Sequence, residues 1–220
     1  MKEPKCAHCR SKPCKLPVGK RSELPPYCPI INFRDLIKEL KNRYQEECVS
    51  PFYLSAALTE KECYEPEAAA RGKIRPLRTR LREVSAFAEK IGARKLGIAF
   101  CSGLSEEAGR ASDILERRGL EIVSVACSCG AVDKTDLGIP SEHKIYGPDR
   151  FEAACNPLLQ AEILNRCGTA FNIIIGLCVG HDMLFTKHCQ APVTTLIVKD
   201  RLTGHNPVIS LYSRYHKDLV

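Results

Sequence analysis

The chain has 220 residues, 44% hydrophobic and 27% charged, a globular balance on a length that buries a core without covalent help. Its thirteen cysteines are therefore not needed as staples, and an odd number of them argues against a secreted disulfide scaffold. No apolar run approaches the ~18 residues of a membrane span, and the start Met1-Lys2-Glu3-Pro4-Lys5-Cys6 has no apolar signal region, so a cytoplasmic protein with no membrane partner is expected.

The formal net charge of +7, from 33 Lys and Arg against 26 Asp and Glu, is weak ground for a nucleic-acid partner. Two four-thiolate sites, each carrying about −2 with zinc or a four-iron cluster, would lower it to about +3. The basic run Arg71, Lys73, Arg75, Arg78, Arg80 and Arg82 has no interleaved aromatic residues and reads as a solvated helix face.

In chain order, residues 1–30 come first, a cysteine-rich segment with Cys6, Cys9, Cys14 and Cys28, many lysines and prolines, and no apolar periodicity. Such a segment cannot bury enough surface to fold alone, and a metal would fix it. Residues 31–92 form a helical segment. Asn32 is expected to cap a helix with Phe33, Leu36, Ile37, Leu40 and Tyr44 on one stripe. Ser50-Pro51 starts a second helix, and Leu77, Leu81, Val84, Ala88 and Ile91 mark a third near 77–91.

From residue 93 to 220 an α/β domain follows, in which short apolar runs alternate with helices. Strands are expected at Leu96 to Phe100, Ile122 to Ala126, Phe171 to Leu177 and Val193 to Val198. Helices are expected from Ser105 to Arg118, from an Asn156 cap to Arg166, and near Asp182. The alternation implies a mostly parallel sheet flanked by helices. Residues 130–154 form a long polar connection of the kind that often serves as a lid or binding loop.

The later cysteines sit at equivalent places in that pattern. Cys101, Cys127 and Cys178 each follow the end of an apolar run, and Cys155 precedes the cap of the next helix. In an open α/β sheet those positions share one edge, where ligands bind, and helix N-termini favour thiolate over thiol. Cys101, Cys127, Cys155 and Cys178 are therefore expected to hold a cofactor, a four-iron iron–sulfur cluster or zinc. The alternative is that cysteines at strand ends act only as small hydrophobes. The N-terminal set Cys6, Cys9, Cys14 and Cys28 opens on a C-x2-C chelate spacing and is a second metal candidate, with His8 as a substitute ligand. His181, in Gly180-His181-Asp182, is a candidate proton donor facing the same edge, or a ligand there, or a turn residue that helps cap a helix. Lys199-Asp200-Arg201 ends the last strand, as a solvated strand end or as an anion holder.

The segments Gly97-Ile98-Ala99-Phe100-Cys101, Cys155-Asn156-Pro157 and Gly176-Leu177-Cys178-Val179-Gly180-His181-Asp182 together resemble the domain of unknown function 1847 family. Ala191-Pro192-Val193-Thr194, Lys199-Asp200-Arg201 and Gly204-His205-Asn206-Pro207 carry the same resemblance. It implies a cysteine-rich metal-binding protein of anaerobic bacteria and archaea, with roles for Cys6, Cys9, Cys14, Cys101, Cys127, Cys155 and Cys178. It weakens Cys129 and Cys189 as ligands and implies no reaction. Three functions are left standing: an iron–sulfur protein with redox or sulfur-transfer and elimination chemistry, a non-catalytic zinc-stabilised binding module, and a thiol oxidoreductase using Cys127 and Cys129. The partner would be a small molecule or an electron carrier.

Overall fold

The structure is a computed structural model that describes residues 2–21 and 23–213. The chain divides into two compact units, Met1–Leu58 and Thr59–Val220.

The first unit opens on three single-turn 3-10 segments, Cys6–His8, Pro13–Lys15 and Val18–Lys20. Helices α1 (Pro29–Asn32) and α2 (Arg34–Arg43) follow, and α3 (Ser50–Lys61) begins at the Ser50-Pro51 signal. Asn32 does not cap α2. It ends α1, and its side-chain amide donates to the carbonyls of Pro26 and Cys28, so the chain kinks at Phe33 before the next helix starts.

The second unit holds α4 (Pro66–Ala70), α5 (Arg80–Lys90) and the α/β layer. Helix α5 begins three residues later than the apolar spacing suggests, because the Thr79 hydroxyl accepts from the Arg82 N–H and fixes the start there. Strands β1 (Lys95–Phe100), β2 (Glu121–Ala126), β3 (Asn172–Ile175) and β4 (Val193–Ile197) form one all-parallel sheet in the order β2-β1-β3-β4. Helices α6 (Ser105–Glu116), α7 (Pro157–Arg166) and α8 (His181–His188) connect them, and α9 (Val208–Tyr212) follows β4. The α/β reading of the sequence is therefore correct. Strand β3 is shorter than its apolar run, since its pairing with β4 slips between Ile174 and Ile175 and the backbone turns to positive φ at Gly176.

The core lies on the sheet and under its helices. Leu96, Ile98, Leu115, Leu164, Ile173, Ile175 and Phe185 are fully buried. One glycine is dictated by this packing. A Cβ on Gly97 would stand 2.0 Å from Asn172 Oδ1 and 2.9 Å from Leu164 Cδ1, so β1 can pass β3 and α7 only without a side chain there.

Among the described residues, no helix is long and apolar enough to cross a membrane.

Candidate functional site

Register decides what the sheet displays. Phe100 pairs with Ala126 on one side and with Ile175 on the other, so β1, β2 and β3 stop level with one another. Cys101 and Cys127 are the next residues on β1 and β2, and the Cys101 N–H continues the ladder to the Ile175 carbonyl at 3.0 Å. Cys155 arrives from a distant stretch of sequence. The Asn156 N–H donates to the Cys127 carbonyl at 2.7 Å, and the Asn156 side chain caps α7 by accepting from the Leu159 N–H. One asparagine therefore starts the helix and ties the residue beside it to the tip of β2. Cys178 follows β3 after the turn at Gly176, and its carbonyl accepts from the N–H groups of His181 and Asp182 at the start of α8.

The sulfurs interact with one another. Cys155 and Cys101 both hydrogen-bond to the Cys127 sulfur, and Cys155 in turn feels the charge of Cys178 and Cys101. The Cys127 thiol is lowered to about 4, and hydrogen bonding from Cys155 is the largest cause. The hydroxyl and N–H of Ser102, at 3.5 and 3.3 Å, contribute to that lowering against the opposing effect of burial. Cys155 moves the other way, pushed well above the ordinary thiol range by the same bond and by its burial. Of this pair, Cys127 is the thiolate and Cys155 its donor. Two cations complete the edge. Lys199 donates to the Cys101 sulfur, and Arg201 Nη2 lies 3.3 Å from the sulfur of Cys178.

Two features of this edge go beyond what the sequence shows. Gln160, fully buried on α7, donates from Nε2 to the carbonyls of Val125 (2.8 Å) and Phe100 (3.3 Å). It bridges β2 and β1 just before their cysteines. A glutamine at an apolar helical position gives no hint of this until the helix is docked. The connection between Cys127 and Cys155 is the second. Asp133 and Ala153 form an antiparallel bridge, the Ala154 N–H donates to Val132, and the Lys134 N–H donates to Glu152. Largely shielded ion pairs, Lys144 with Asp133 at 2.7 Å and Lys134 with Glu152, hold the two arms together. The long polar loop is thus a pinned lobe whose base sets Cys127 beside Cys155.

His181 opens α8. Its Nδ1 is buried with no hydrogen-bond partner among the described residues, whereas Asp182 Oδ1 accepts from the N–H groups of Gly180 and Met183. The capping role falls to Asp182. Cys129 is half-buried, and burial first and the charge of Cys127 second raise its thiol; it does not share the hydrogen bond that Cys155 makes. In the first unit, Cys6 and Cys14 are exposed, Cys9 reaches the Ser11 hydroxyl, and Cys28 is buried at the start of α1. Cys63 is buried against Glu83 and the Thr59 carbonyl, and Cys48 is exposed near Glu46.

Cysteine sulfurs at the sheet edge suit a soft, thiophilic metal, which binds them as thiolates, and the adjacent cations would offset the charge of that bound form. Among the described residues no three His, Cys, Asp or Glu side chains stand close enough together to hold one ion, at this edge or in residues 2–21. The donor chemistry fits a metal group, while a single-ion tetrahedron is not drawn by the side chains as they stand.

Fold and edge together define an α/β protein with a parallel four-stranded sheet whose C-terminal tips carry cysteines. Residues 28–196 match the family described as "Protein of unknown function (DUF1847)", and the chain belongs to that family. It is similar to an uncharacterized protein of Methanocaldococcus jannaschii, 45% identical over 139 residues, which are 63% of this chain and 69% of that one.

Proposed function

We propose that the protein holds an iron–sulfur cluster at the C-terminal sheet edge through Cys101, Cys127, Cys155 and Cys178. The observation that supports this is the meeting of four thiols from four separate loops, one of them a thiolate. A four-iron cluster is held by sulfurs that stand farther apart than those around one zinc ion, which suits an edge where no three donors close on a point. When bound, such a cluster supplies electron transfer, or Lewis-acid chemistry for elimination or sulfur transfer if one iron lacks a protein ligand. The chain's own residues do the positioning. Ser102 holds the Cys127 sulfur, Gln160 and the pinned lobe fix Cys127 relative to its neighbours, and Lys199 and Arg201 offset thiolate charge. His181 is the proton donor within this reading, since its ring nitrogen is unused.

A second metal at Cys6, Cys9, Cys14 and Cys28 extends the proposal. It rests on the C-x2-C spacing and requires exposed thiols to be drawn together on binding. A cytoplasmic location and a small molecule or electron carrier as partner complete this reading.

The hydrogen bond between Cys155 and Cys127 favours a second reading, a dithiol redox pair, with Cys155 rather than Cys129 as the partner of Cys127. Purification without oxygen, followed by iron, zinc and acid-labile sulfide analysis, separates the readings. Iron and sulfide in comparable amounts support the cluster. Zinc alone supports a zinc-stabilised binding module. A chain free of metal that forms a Cys127–Cys155 disulfide on mild oxidation, identified by peptide mass spectrometry, supports the dithiol.

A further inference from the structure

We propose that the loop after β4, Lys199 to His205, makes the cysteine edge a receptor for a small dianionic substrate bearing carboxylate or oxyanion groups, gripped by Lys199 and Arg201. The proposal rests on that edge being the working face, and it does not depend on which metal the edge holds.

Lys199 and Arg201 stand over different strands, one at the sulfur of Cys101 after β1 and one at the sulfur of Cys178 after β3. Neither has a carboxylate partner among the described residues. Elsewhere in the chain the pattern differs, for at least six other arginines pair with glutamates. The one carboxylate between the two cations is turned away from them. Asp200 Oδ1 accepts from the N–H groups of Leu202 (3.0 Å) and Thr203 (3.1 Å), and the Asp200 N–H donates to His205 Nδ1 at 3.1 Å. This closed turn holds the loop's shape while leaving the cationic side chains with sulfur contacts but no carboxylate partner. One further polar atom, His181 Nδ1 on the segment that follows β3, is buried with no hydrogen-bond partner among the described residues, whereas the Thr203 side chain is held by Asp200. Buried polar atoms in folded proteins are normally satisfied, so an unpaired one beside a working face marks a place for a ligand atom.

Charge gives the substrate class. A centre built on thiolates repels anions, and a neutral substrate would need no cations beside it. Two cations offset that repulsion and offer directed donors. The guanidinium of Arg201 matches a carboxylate or oxyanion in bidentate fashion, and the ammonium of Lys199 adds a point charge. The outer position of Arg201, exposed to solvent, suits capture of an incoming anion, whereas Lys199 is half-buried and nearer the sulfurs.

Isothermal titration of the full chain, purified without oxygen and held at low ionic strength, tests this. Malonate and sulfate are the dianionic probes, and malonamide is the neutral control. At least one dianion should bind while malonamide does not, and malonate against sulfate tells carboxylate from oxyanion preference. Lys199→Gln and Arg201→Gln should each weaken that binding by about tenfold or more, as expected for the loss of a charge-assisted hydrogen bond. Arg201→Lys should keep part of it. Arg201 is exposed, so its variants retain the fold, which an unchanged thermal midpoint verifies. No binding of either dianion, equal binding of malonamide, or unchanged affinity in both glutamine variants overturns the proposal. Iron and sulfide measured on the same samples separate the two claims. Anion binding that needs Arg201 in a chain without metal keeps this proposal and removes the cluster, and a loaded chain that ignores both dianions does the reverse.

Discussion

Gln160 and Cys127 show how single side chains build the edge. The amide of Gln160 satisfies two strand-end carbonyls inside the core, so Gln160→Leu keeps the volume but strands both acceptors. The expected cost is about 1–3 kcal/mol in urea unfolding, and a loss below about 0.5 kcal/mol would show that the bridge is ornamental. Cys127 leads to a kinetic prediction. Its thiol is lowered to about 4, chiefly by the Cys155 hydrogen bond, so it stays a thiolate across the neutral range. In the metal-free chain, its alkylation by iodoacetamide should hardly change between about pH 8 and pH 5, whereas an ordinary thiol slows about tenfold per unit below its pKa near 8.5. Cys155→Ala should restore the ordinary slope, as read by mass spectrometry of the Cys127 peptide. A steep slope in the unaltered protein would contradict the assignment of Cys127 as the thiolate.

At the scale of elements, the lobe from Cys127 to Cys155 depends on its ion pairs. The carboxyl of Asp133 lies well below the usual aspartate range because Lys144 and the N–H groups of Thr135 and Glu152 hold its charged form. Glu152 is lowered mainly by Lys134. A carboxylate lowered in the folded state stabilises it at pH values above its unfolded pKa, near 4, and that contribution is lost as pH falls toward the folded value. Hydrogen exchange in residues 128–154 should therefore be steady from pH 7 to about 5 and speed up, after correction for intrinsic rates, only below about 4. Lobe protection unchanged at pH 3 would mean that the ion pairs do not hold it. Helix docking supplies a further test. Gly97→Ala drives a Cβ into Asn172 and Leu164, an overpacking that should cost at least about 1–3 kcal/mol in stability.

These elements also show what a sequence carries. Strand ends at Phe100 and Ala126 are legible because apolar runs stop where the buried ladder stops, and the Asn156 cap is legible because its chemistry is local. The start of α2 is not, since Asn32 spends its amide on Pro26 and Cys28, a choice set by a turn and not by the helix stripe. That Cys127 and Cys155 share one edge is legible from their strand-end and helix-start positions, but the direct hydrogen bond between them is hidden. It arises from an asparagine N–H and an ion-paired lobe that act across more than twenty residues of chain, while sequence proximity points to Cys129.

On the scale of the molecule, the cysteines divide between two units, with the N-terminal set in Met1–Leu58 and the sheet-edge set in Thr59–Val220. If the first unit binds its own metal, a chelator should raise protease cleavage within residues 1–30 while the sheet resists digestion, and equal protection with and without chelator would remove that second site. The central claim concerns the sheet edge, where Cys155 and Cys178 come from loops on different sides of β1 and yet act on one another. Its most direct test is iron and sulfide content, measured without oxygen, in Cys155→Ala and Cys178→Ala beside Cys48→Ala, whose thiol is exposed near Glu46. The account predicts that each of the first two loses most of the iron and sulfide of the sheet-edge centre while Cys48→Ala keeps its full content. Full metal and sulfide in both sheet-edge variants would contradict it.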